Sequence, residues 1–401
     1  MLLVFPISLC VVMLTAVADA RIMAQSSNTD AARELTPGVS HRHIVDARGP
    51  WSIHVVRVDL RRAGIDLRAA RAGDQLRGRE RTSAMARRAT TTGERVVAAI
   101  NADFFDLKTG ENENNQIVAG EWWKGLKVTE SPYDTYDNVH VQFAMDTARR
   151  PMIERFILDG RVWARGVMTP ILTVNANPSG APEGSALYTT RFGAATPRDT
   201  ARPTAEALLR AAGRRGDTLL FVRRGAVTTT SGTSIPTDGA VLAAYGARMK
   251  EVQGMDDGDT VRVLLTTGPR MPRGALPALL IGGWPRLLRD GVNVAGDAAT
   301  IEGTISRNAE VRHPRTAIGY SRDGKTVWIL TVDGRSTSSV GMTLVELADA
   351  LRRLGAWQAM NFDGGGSTTM VIDGKVVNTP SDPTGEREVG NALLVVKRGG
   401  T

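Results

Sequence analysis

The stretch WQAMNFDGGGSTTMVI occupies residues 357–372 and predicts a strand, a glycine turn and a second strand. The first strand runs from Trp357 to Asn361, and the second covers about Thr369 to Ile372. Between them, Asp363 is followed by Gly364, Gly365, Gly366 and Ser367. Glycines without Cβ atoms can turn several backbone N–H groups toward one point, so this turn predicts an anion-binding nest. The alternative is an ordinary tight turn in which Asp363 caps its own loop.

Strong local signals surround this stretch. A helix precedes it, because Thr343 and Glu346 form a capping box and Gly355 ends the apolar pattern. A shorter helix capped by Thr82 is predicted over 82–89. The predicted strands in these parts of the chain are 53–60, 96–100, 316–321, 326–332, 375–378 and 392–396.

Between about 150 and 300, short apolar runs alternate with turn signals such as Asp238-Gly239 and Asp290-Gly291, which predicts antiparallel β structure. One helix is predicted there, near Thr204 to Ala212. We therefore expect the α+β class, with mixed, largely antiparallel sheets and a few flanking helices.

The composition excludes several classes of protein. The chain has 401 residues, 42% of them hydrophobic, so it is neither disordered nor collagen-like. Its one cysteine, Cys10, lies in the N-terminal apolar run, which excludes cysteine nucleophiles, thiolate zinc sites and iron–sulfur clusters from the rest. The net charge is +8 and most of the cations are arginine, but no nucleic-acid-binding motif accompanies them, so we expect no nucleic-acid partner.

The N-terminus predicts export. Residues 2–17 are apolar and end at Ala18-Asp19-Ala20, so we expect a signal peptide at 1–20 and a secreted or periplasmic protein. An uncleaved anchor is the competing interpretation; no later stretch could cross a bilayer. A flexible linker is expected at 21–43 and one domain at 44–398, with a variable middle before 300 and a motif-rich part at 301–398. The oligomeric state is not predicted.

Polar residues follow several of the predicted strands, where a sheet presents side chains to a cleft. Three carboxylates, Asp103, Asp333 and Asp363, are available for catalysis, and each of them could instead cap a turn. The glycine turn and three arginines could bind an anion, the arginines being Arg315, Arg335 and, more weakly, Arg312. Two amides accompany these acids at the strand ends, Asn101 beside Asp103 and Asn361 beside Asp363.

A metal site has less support. The five histidines show no metal-type spacing, and we interpret His313 as structural. The stretch 103–115 is rich in oxygen ligands but lacks EF-hand spacing, so a calcium site is conceivable there and unsupported. We therefore expect no cofactor.

Six motifs together resemble the phosphodiester glycosidase domain. They are NADFF at 101–105, RHPRTAIG at 312–319, VDGR at 332–335, SSVGMT at 338–343, NFDGGGST at 361–368 and NTPSD at 378–382. The resemblance runs from about Trp51 to Val396 and is weakest from 150 to 300. The chain departs from the family at 111–115, where relatives usually have a shorter, glycine-containing turn. It also lacks the disulfides of the lysosomal members.

The resemblance implies hydrolysis of a sugar 1-phosphodiester of the N-acetylglucosamine-1-phosphate type in an envelope or extracellular glycan. By this analogy, the arginines and the glycine turn bind the phosphate, and the asparagines bind sugar hydroxyls. One carboxylate acts at the anomeric carbon, with Asp363 as the first choice, then Asp333, then Asp103. Two other functions stay open. The chain could be a metal-dependent phosphodiesterase that breaks the P–O bond, or a non-catalytic exported protein that binds anionic glycans.

Overall fold

The computed structural model describes residues 28–29, 31–130, 135–137, 140–178, 183–199, 202–272, 276–302 and 310–399. The α-helices in these ranges are α1 Thr82–Arg88, α2 Met249–Gln253, α3 Ala298–Glu302 and α4 Leu344–Leu354. No helix in the described ranges has the length and apolar character that crossing a membrane requires.

The strands of the first half are β1 Asn28–Thr29, β2 Arg33–Thr36, β3 Val39–Asp46, β4 Trp51–Asp59, β5 Ile65–Arg71, β6 Glu80–Arg81, β7 Glu94–Asn101, β8 Gln116–Val118, β9 Glu121–Leu126, β10 Val128–Glu130, β11 Thr135–Asp137, β12 Gln142–Met145, β13 Pro151–Glu154, β14 Ile157–Ala164, β15 Val167–Ile171, β16 Thr173–Val174 and β17 Gly184–Thr189. Those of the second half are β18 Thr204–Arg215, β19 Thr218–Thr228, β20 Gly239–Tyr245, β21 Thr260–Gly268, β22 Leu279–Gly282, β23 Arg286–Arg289, β24 Val292–Asn293, β25 Arg315–Tyr320, β26 Thr326–Val332, β27 Gln358–Asn361, β28 Met370–Ile372, β29 Lys375–Val376, β30 Glu388–Val389 and β31 Asn391–Arg398.

Three large sheets contain most of these strands. The nine-stranded sheet has the order β1-β3-β4-β26-β25-β27-β23-β24, with β2 also paired to β3. The five-stranded sheet has the order β29-β28-β7-β31-β5, and the thirteen-stranded sheet β13-β12-β22-β8-β9-β16-β17-β20-β18-β19-β21-β14-β15. Among the described strands, only β16 and β17 pair in parallel.

The nine- and five-stranded sheets pack face to face between two helices. Along β26, Val327 and Ile329 enter the core between the sheets, while Trp328 and Leu330 pack on the α4 side. Helix α1 covers the outer face of the five-stranded sheet. This arrangement follows from the period-two alternation of a strand whose two faces are both buried. The layer order is therefore α1, five strands, nine strands, α4.

The thirteen-stranded sheet has its own core and joins the sandwich through β12. Phe143 of β12 enters the core between the other two sheets, and the next residue, Ala144, enters the core of the thirteen-stranded sheet. The predicted antiparallel architecture is confirmed. Strands account for 49% of the chain and helices for 12%, so the α+β class fits only loosely and the protein is sheet-dominated.

The structure confirms the best local predictions. Helix α4 begins at Leu344 with the Thr343–Glu346 capping box and is followed by Gly355 in the left-handed conformation, at φ 100°. Helix α1 also forms, but Arg81 precedes it without a side-chain cap bond, so the capping role expected for Thr82 is wrong.

The helix predicted near Thr204 to Ala212 is wrong, because this segment is strand β18. Its alanines and leucines favour a helix locally. In the fold, Ala205, Ala207 and Leu209 are buried in the core of the thirteen-stranded sheet, and β18 pairs with β19 and β20. Non-local pairing therefore overrides the helix propensity.

The predicted linker at 21–43 also needs correction. Residues 33–36 and 39–46 are strands, and Val39 is only 1% exposed because it packs into the core between the sheets. The predicted signal peptide at 1–20 lies outside the described residues, so secretion stays a prediction.

Three histidines stack across β3 and β4. The His43 and His54 rings lie 4.2 Å apart between centroids, and the His41 and His54 rings lie 5.3 Å apart, all nearly parallel. His41 Nε2 and His54 Nδ1 are 3.1 Å apart. His54 is 5% exposed, and its burial beside two other imidazoles lowers its pKa to about 3.

Candidate active site

Five chain segments meet at a cavity of about 240 Å³. One follows β7, one connects β22 to β23, one comprises the ends of β25 and β26 that lie side by side, one is the end of β27 with the turn after it, and one precedes β30. The residues that line the cavity are Phe104, Trp284, His313, Arg315, Arg335, Asn361, Asp363, Gly364, Gly365, Gly366 and Arg387. The predicted residues Arg315, Arg335, Asn361, Asp363 and the three glycines are thus brought together.

The backbone of Asp363 is fixed to the segment that follows β7. Its N–H donates to the carbonyl oxygen of Ala102 at 2.8 Å, and its carbonyl accepts from Asn101 Nδ2 at 2.7 Å. The side chain is half-buried. Desolvation raises the pKa of Asp363 to about 6, against the opposing hydrogen bond from Ser367 and the nearby charge of Arg387.

The glycine turn is largely closed on itself, which corrects the predicted anion nest. The N–H of Gly365 donates to the Pro314 carbonyl at 2.9 Å, and that of Ser367 donates to the Gly364 carbonyl at 3.1 Å. The Gly364 N–H and the Ser367 hydroxyl hold the carboxylate of Asp363. The turn therefore positions the acid, and its N–H groups are mostly engaged before any anion arrives.

The glycines have a second role, because two guanidinium groups lie against them. A Cβ atom on Gly365 would stand 3.0 Å from Arg335 Nη2, and one on Gly366 would collide with the guanidinium of Arg387. Only residues without side chains let both arginines approach the turn. The two cations therefore flank Asp363 on the cavity wall.

The arginines differ in their partners. Arg387 Nε donates to Asp382 Oδ2 at 2.6 Å. Arg335 is exposed and reaches only the Ser381 hydroxyl, at 3.5 Å, and it forms no ion pair with any residue in the described part of the chain. Arg335 is thus a cation of the cavity that no neighbouring acid neutralises.

Arg315 forms part of the buried wall. Its guanidinium donates to the carbonyl oxygens of Met342 and Val311, both at 2.9 Å, and desolvation lowers its pKa to about 10. Arg312, the weaker candidate, is not brought to the cavity. It pairs with Glu346 at 2.6 Å on the outside of α4, which explains why its charge is not available to a ligand.

Asp333 also lies outside the cavity lining. Its carboxylate accepts from Ser52 Oγ at 3.0 Å, Thr379 N at 2.9 Å and Asn378 Nδ2 at 3.2 Å. Asp333 is 4% exposed, and burial raises its pKa. It therefore joins the end of β26 to β4 and to residues 378–379.

Asp103 is held in a buried amide network. Asn114 donates to its carboxylate through Nδ2 at 2.7 Å and the backbone at 3.1 Å, and Asn112 Nδ2 donates at 3.1 Å. Burial raises the pKa of Asp103. These oxygen-bearing side chains are engaged with each other, and the described residues include no group of three or more His, Cys, Asp or Glu that could hold a metal ion.

The two predicted amides differ. Asn101 is fully engaged, because its Nδ2 donates to Asp363 and its Oδ1 accepts from Thr316 Oγ1 at 2.8 Å and Thr369 N at 3.1 Å. It is a structural link behind the site, which corrects its expected sugar-binding role. Asn361 lines the cavity, and its Oδ1 has no partner among the described residues.

Sequence reasoning missed several cavity residues. Trp284 and Phe104 meet edge to face, with ring centroids 6.4 Å apart, and supply the apolar part of the wall. His313, interpreted as structural, also lines the cavity, and burial together with two nearby arginines lowers its pKa. No local sequence pattern predicts that Arg387 reaches the cavity, because the position of its side chain depends on the turn that begins at Asp382.

Comparisons with known proteins connect this site to one family. The model of the phosphodiester glycosidase family matches residues 217–396. This range includes every lining residue of the cavity except Phe104.

Curated relatives match over a shorter stretch. Over 123 residues, the chain is 36% identical to the SPbeta prophage-derived protein YomE of Bacillus subtilis. This aligned stretch covers 31% of this chain and 18% of YomE. Over 110 residues, the chain is 34% identical to N-acetylglucosamine-1-phosphodiester alpha-N-acetylglucosaminidase of Mus musculus. This aligned stretch covers 26% of this chain and 21% of that enzyme. The match spans about a fifth of the length of these relatives.

Solved structures share the fold over most of the chain. A hypothetical protein from Synechocystis superposes with a TM-score of 0.72 at 21% identity, covering 94% of this chain and 65% of that one. A Burkholderia pseudomallei protein named as exported superposes with a TM-score of 0.64 at 24% identity, covering 86% and 74%. At such identities the likeness concerns the fold alone. Residues 217–396 of this chain, which hold most of the cavity lining, are thus similar to the phosphodiester glycosidase family.

Proposed function

We propose that this chain hydrolyses the glycosidic C–O bond of a sugar 1-phosphodiester and releases a sugar and a phosphate monoester. The observation that carries the proposal is one cavity that holds the half-buried Asp363 carboxyl and the Arg335 guanidinium, a cation without an acidic partner in the described residues. A carboxylate beside a free cation suits a substrate that combines an electrophilic carbon with an anionic leaving group.

The arginines act on the phosphate. A phosphate monoester is a weaker base than an alkoxide, so its departure requires stabilisation of negative charge more than a strong proton donor. Arg335 and Arg387 lie on successive glycines and would bind phosphate oxygens from one wall. Arg315, with a pKa of about 10, stays protonated at neutral pH and adds positive charge from behind.

Asp363 acts at the anomeric carbon, as a base or as a nucleophile, by analogy with other glycosidases. Both roles need the ionised carboxylate, and a pKa of about 6 leaves Asp363 mostly ionised at pH 7. Asp333 and Asp103 are weaker choices, because neither of them is among the residues that line the cavity.

The aromatic wall accommodates the sugar. Trp284 and Phe104 offer apolar ring surface for the C–H groups of a pyranose, and Asn361 lies in the same cavity wall. The name of the mouse relative supports an N-acetylglucosamine-1-phosphate linkage as the first substrate to test. The apolar run ending at residues 18–20 supports an envelope or extracellular glycan as its setting.

Hydrolysis of a sugar 1-phosphodiester in oxygen-18 water tests the proposal. Cleavage of the C–O bond places the label in the sugar, and we expect this result. Label in the phosphate would mean P–O cleavage and would favour a metal-dependent phosphodiesterase instead.

The variant Asp363→Asn is the matched control, because asparagine preserves the size and turn-forming character of the residue. We expect it to fold and to lose orders of magnitude in turnover. Substrate binding by the unmodified chain without any turnover would favour a non-catalytic protein that binds anionic glycans.

A further inference from the structure

Two loops bring arginines to the cavity, and one buried carboxylate is bonded where both of them begin. Asp333 comes directly after β26, and Arg335 lies two positions further on. Asn378 and Thr379 begin the second loop, which ends with Arg387. The Asp333 Oδ1 atom accepts from Thr379 N at 2.9 Å and from Asn378 Nδ2 at 3.2 Å. The two loops therefore leave from a single acid, which is 4% exposed.

Every polar group of Asp333 has a partner. Its N–H donates to the Ser52 carbonyl at 3.0 Å, and its carbonyl accepts from Ser339 Oγ at 2.7 Å. Its Oδ2 atom accepts from Ser52 Oγ at 3.0 Å. The Ser52 N–H also donates to Ser339 Oγ, at 3.0 Å, which closes a small ring of hydrogen bonds. Asp333 therefore cannot shift without breaking several bonds at once.

The backbone of Arg335 is held in an unusual conformation. Its φ angle is 62°, in the left-handed region that residues with a side chain rarely adopt unless the surrounding structure imposes it. Before it, Gly334 packs so closely that an added Cβ atom would stand 2.7 Å from Pro314 N. After it, the Ser336 N–H donates to the Ser339 carbonyl at 3.1 Å. The conformation of Arg335 is thus constrained from both ends of its turn.

The second loop meets the first at the cavity. Arg335 Nη1 lies 3.5 Å from the Ser381 hydroxyl. The next residue, Asp382, accepts from Arg387 Nε at 2.6 Å. The two guanidinium groups then lie against successive glycines of the turn after β27. The spacing of these two cations depends on how the loops are joined, and Asp333 joins them.

We propose that Asp333 is a positioning residue of this site, which fixes Arg335 and its spacing from Arg387 so that both can bind one phosphate group. Its role in turnover rests on the proposed function. Asp333 acts through the arginines, since it is not among the residues that line the cavity. Cations that are held in place beforehand lose less freedom when the phosphate binds, which favours both binding and reaction.

A double-mutant cycle tests this assignment. Asp333→Ala removes the acceptor that joins the loops and should lower turnover of a sugar 1-phosphodiester by about 10²-fold. In the Arg335→Ala background the same substitution should cost less than about tenfold, because the side chain through which it acts is absent. Losses that simply multiply in the folded proteins would overturn the assignment.

The conservative variant Asp333→Asn should rescue the site. Asparagine keeps an oxygen for Thr379 and Asn378, and its Nδ2 group can donate to Ser52 Oγ, so the loops stay joined. We expect this variant to retain most of the turnover, which a catalytic carboxylate would not allow. A folded but inactive Asp333→Asn protein would overturn the positioning role. Ser52→Ala, which removes the bond to Oδ2, takes the place of Asp333→Ala in the cycle if that protein does not fold.

Binding of inorganic phosphate separates this inference from the proposed function, because it requires no turnover. We expect calorimetry to show phosphate affinity about tenfold weaker in Asp333→Ala, with no further loss when Arg335→Ala is already present. The matched control is Asp59→Ala. Asp59 is a buried acid at the opposite end of the β4–β26 pair and accepts from Arg61 Nε at 2.9 Å. Its loss should lower stability and leave phosphate affinity unchanged.

The phosphate measurement also assigns a failure to one proposal or the other. Unaltered phosphate affinity in a folded Asp333→Ala protein would overturn the positioning role. An unmodified chain that shows the expected coupling but hydrolyses no sugar 1-phosphodiester would overturn only the proposed function. An unmodified chain that binds no phosphate would overturn both.

Discussion

Single residues in the cavity differ in whether their charge is already neutralised. Arg387 is paired with Asp382 at 2.6 Å, so an incoming phosphate must compete with that carboxylate. Arg335 has no such competitor among the described residues. For this reason Arg335 is the side chain whose removal should most directly reduce the stabilisation of phosphate charge.

We predict that Arg335→Ala lowers turnover of a sugar 1-phosphodiester by about 10²- to 10³-fold with little change in stability. Arg312→Ala is the matched control, because Arg312 pairs with Glu346 on the surface and should keep most of the activity. Steady-state kinetics and thermal melting of both variants provide the test. Equal losses in the two variants would contradict the assignment.

Part of this site could be predicted from the sequence because its residues adjoin strong local patterns. Asn361 ends a strand and Asp363 follows it, while Arg315 and Arg335 lie near the ends of a predicted hairpin. The chemistry of Asp333 could not be predicted in this way. Its position after a strand resembles that of Asp363, and only the approach of Ser52, Asn378 and Thr379 shows that its oxygens are occupied.

At the scale of elements, the turn after β27 combines two functions that a longer side chain would disrupt. It bonds to the Asp363 carboxylate, and its bare surface accepts two guanidinium groups. The glycine-dependent anion site stays a prediction, and in the fold the arginines beside the turn are better placed than its engaged N–H groups to meet an anion.

We predict that Gly366→Ala reduces activity by displacing Arg387 and Asp382, both of which lie where the new methyl group would stand. Gly296→Ala is the matched control, because its Cβ would meet no atom within 4 Å. Kinetics and circular dichroism of the two variants should show a folded, impaired Gly366→Ala protein. Full activity in that variant would show that Arg387 can move without consequence.

Elements with strong local signals were predictable, and elements defined by distant pairing were not. Helix α4 carries its capping box and its terminal glycine within its own sequence. Strand β18 carries a helix-like alanine pattern, and its partner β20 begins more than twenty residues after it ends. Trp284 likewise meets cavity residues that are distant in sequence, so local periodicity could not predict its place in the site.

At the scale of the whole molecule, the histidine stack makes stability depend on pH. His54 has a pKa of about 3 in the fold, against an ordinary value of 6.5, so the unfolded chain binds its proton more readily. The stability from this residue is fully present above pH 6.5 and is lost as the pH falls toward 3. The slope approaches about 1.4 kcal/mol per pH unit at most.

We predict that His54→Gln weakens this dependence between pH 6.5 and 4. Acids with a raised pKa, such as Glu302, contribute with the opposite sign, so the comparison must be between the variant and the unmodified protein. Urea unfolding at several pH values measures the difference. Parallel curves for the two proteins would mean that His54 is protonated equally in both states.

The interleaving of early and late strands has a consequence for biosynthesis. Strand β7 lies between β28 and β31, and β4 pairs with β26, so the nine-stranded sheet is incomplete until β27 has left the ribosome and the five-stranded sheet is incomplete until β31 has. The cavity draws on residues from Phe104 to Arg387 and is assembled only then. If the proposed function holds, a nascent or truncated chain would therefore be inert toward sugar phosphates until these strands have joined the fold.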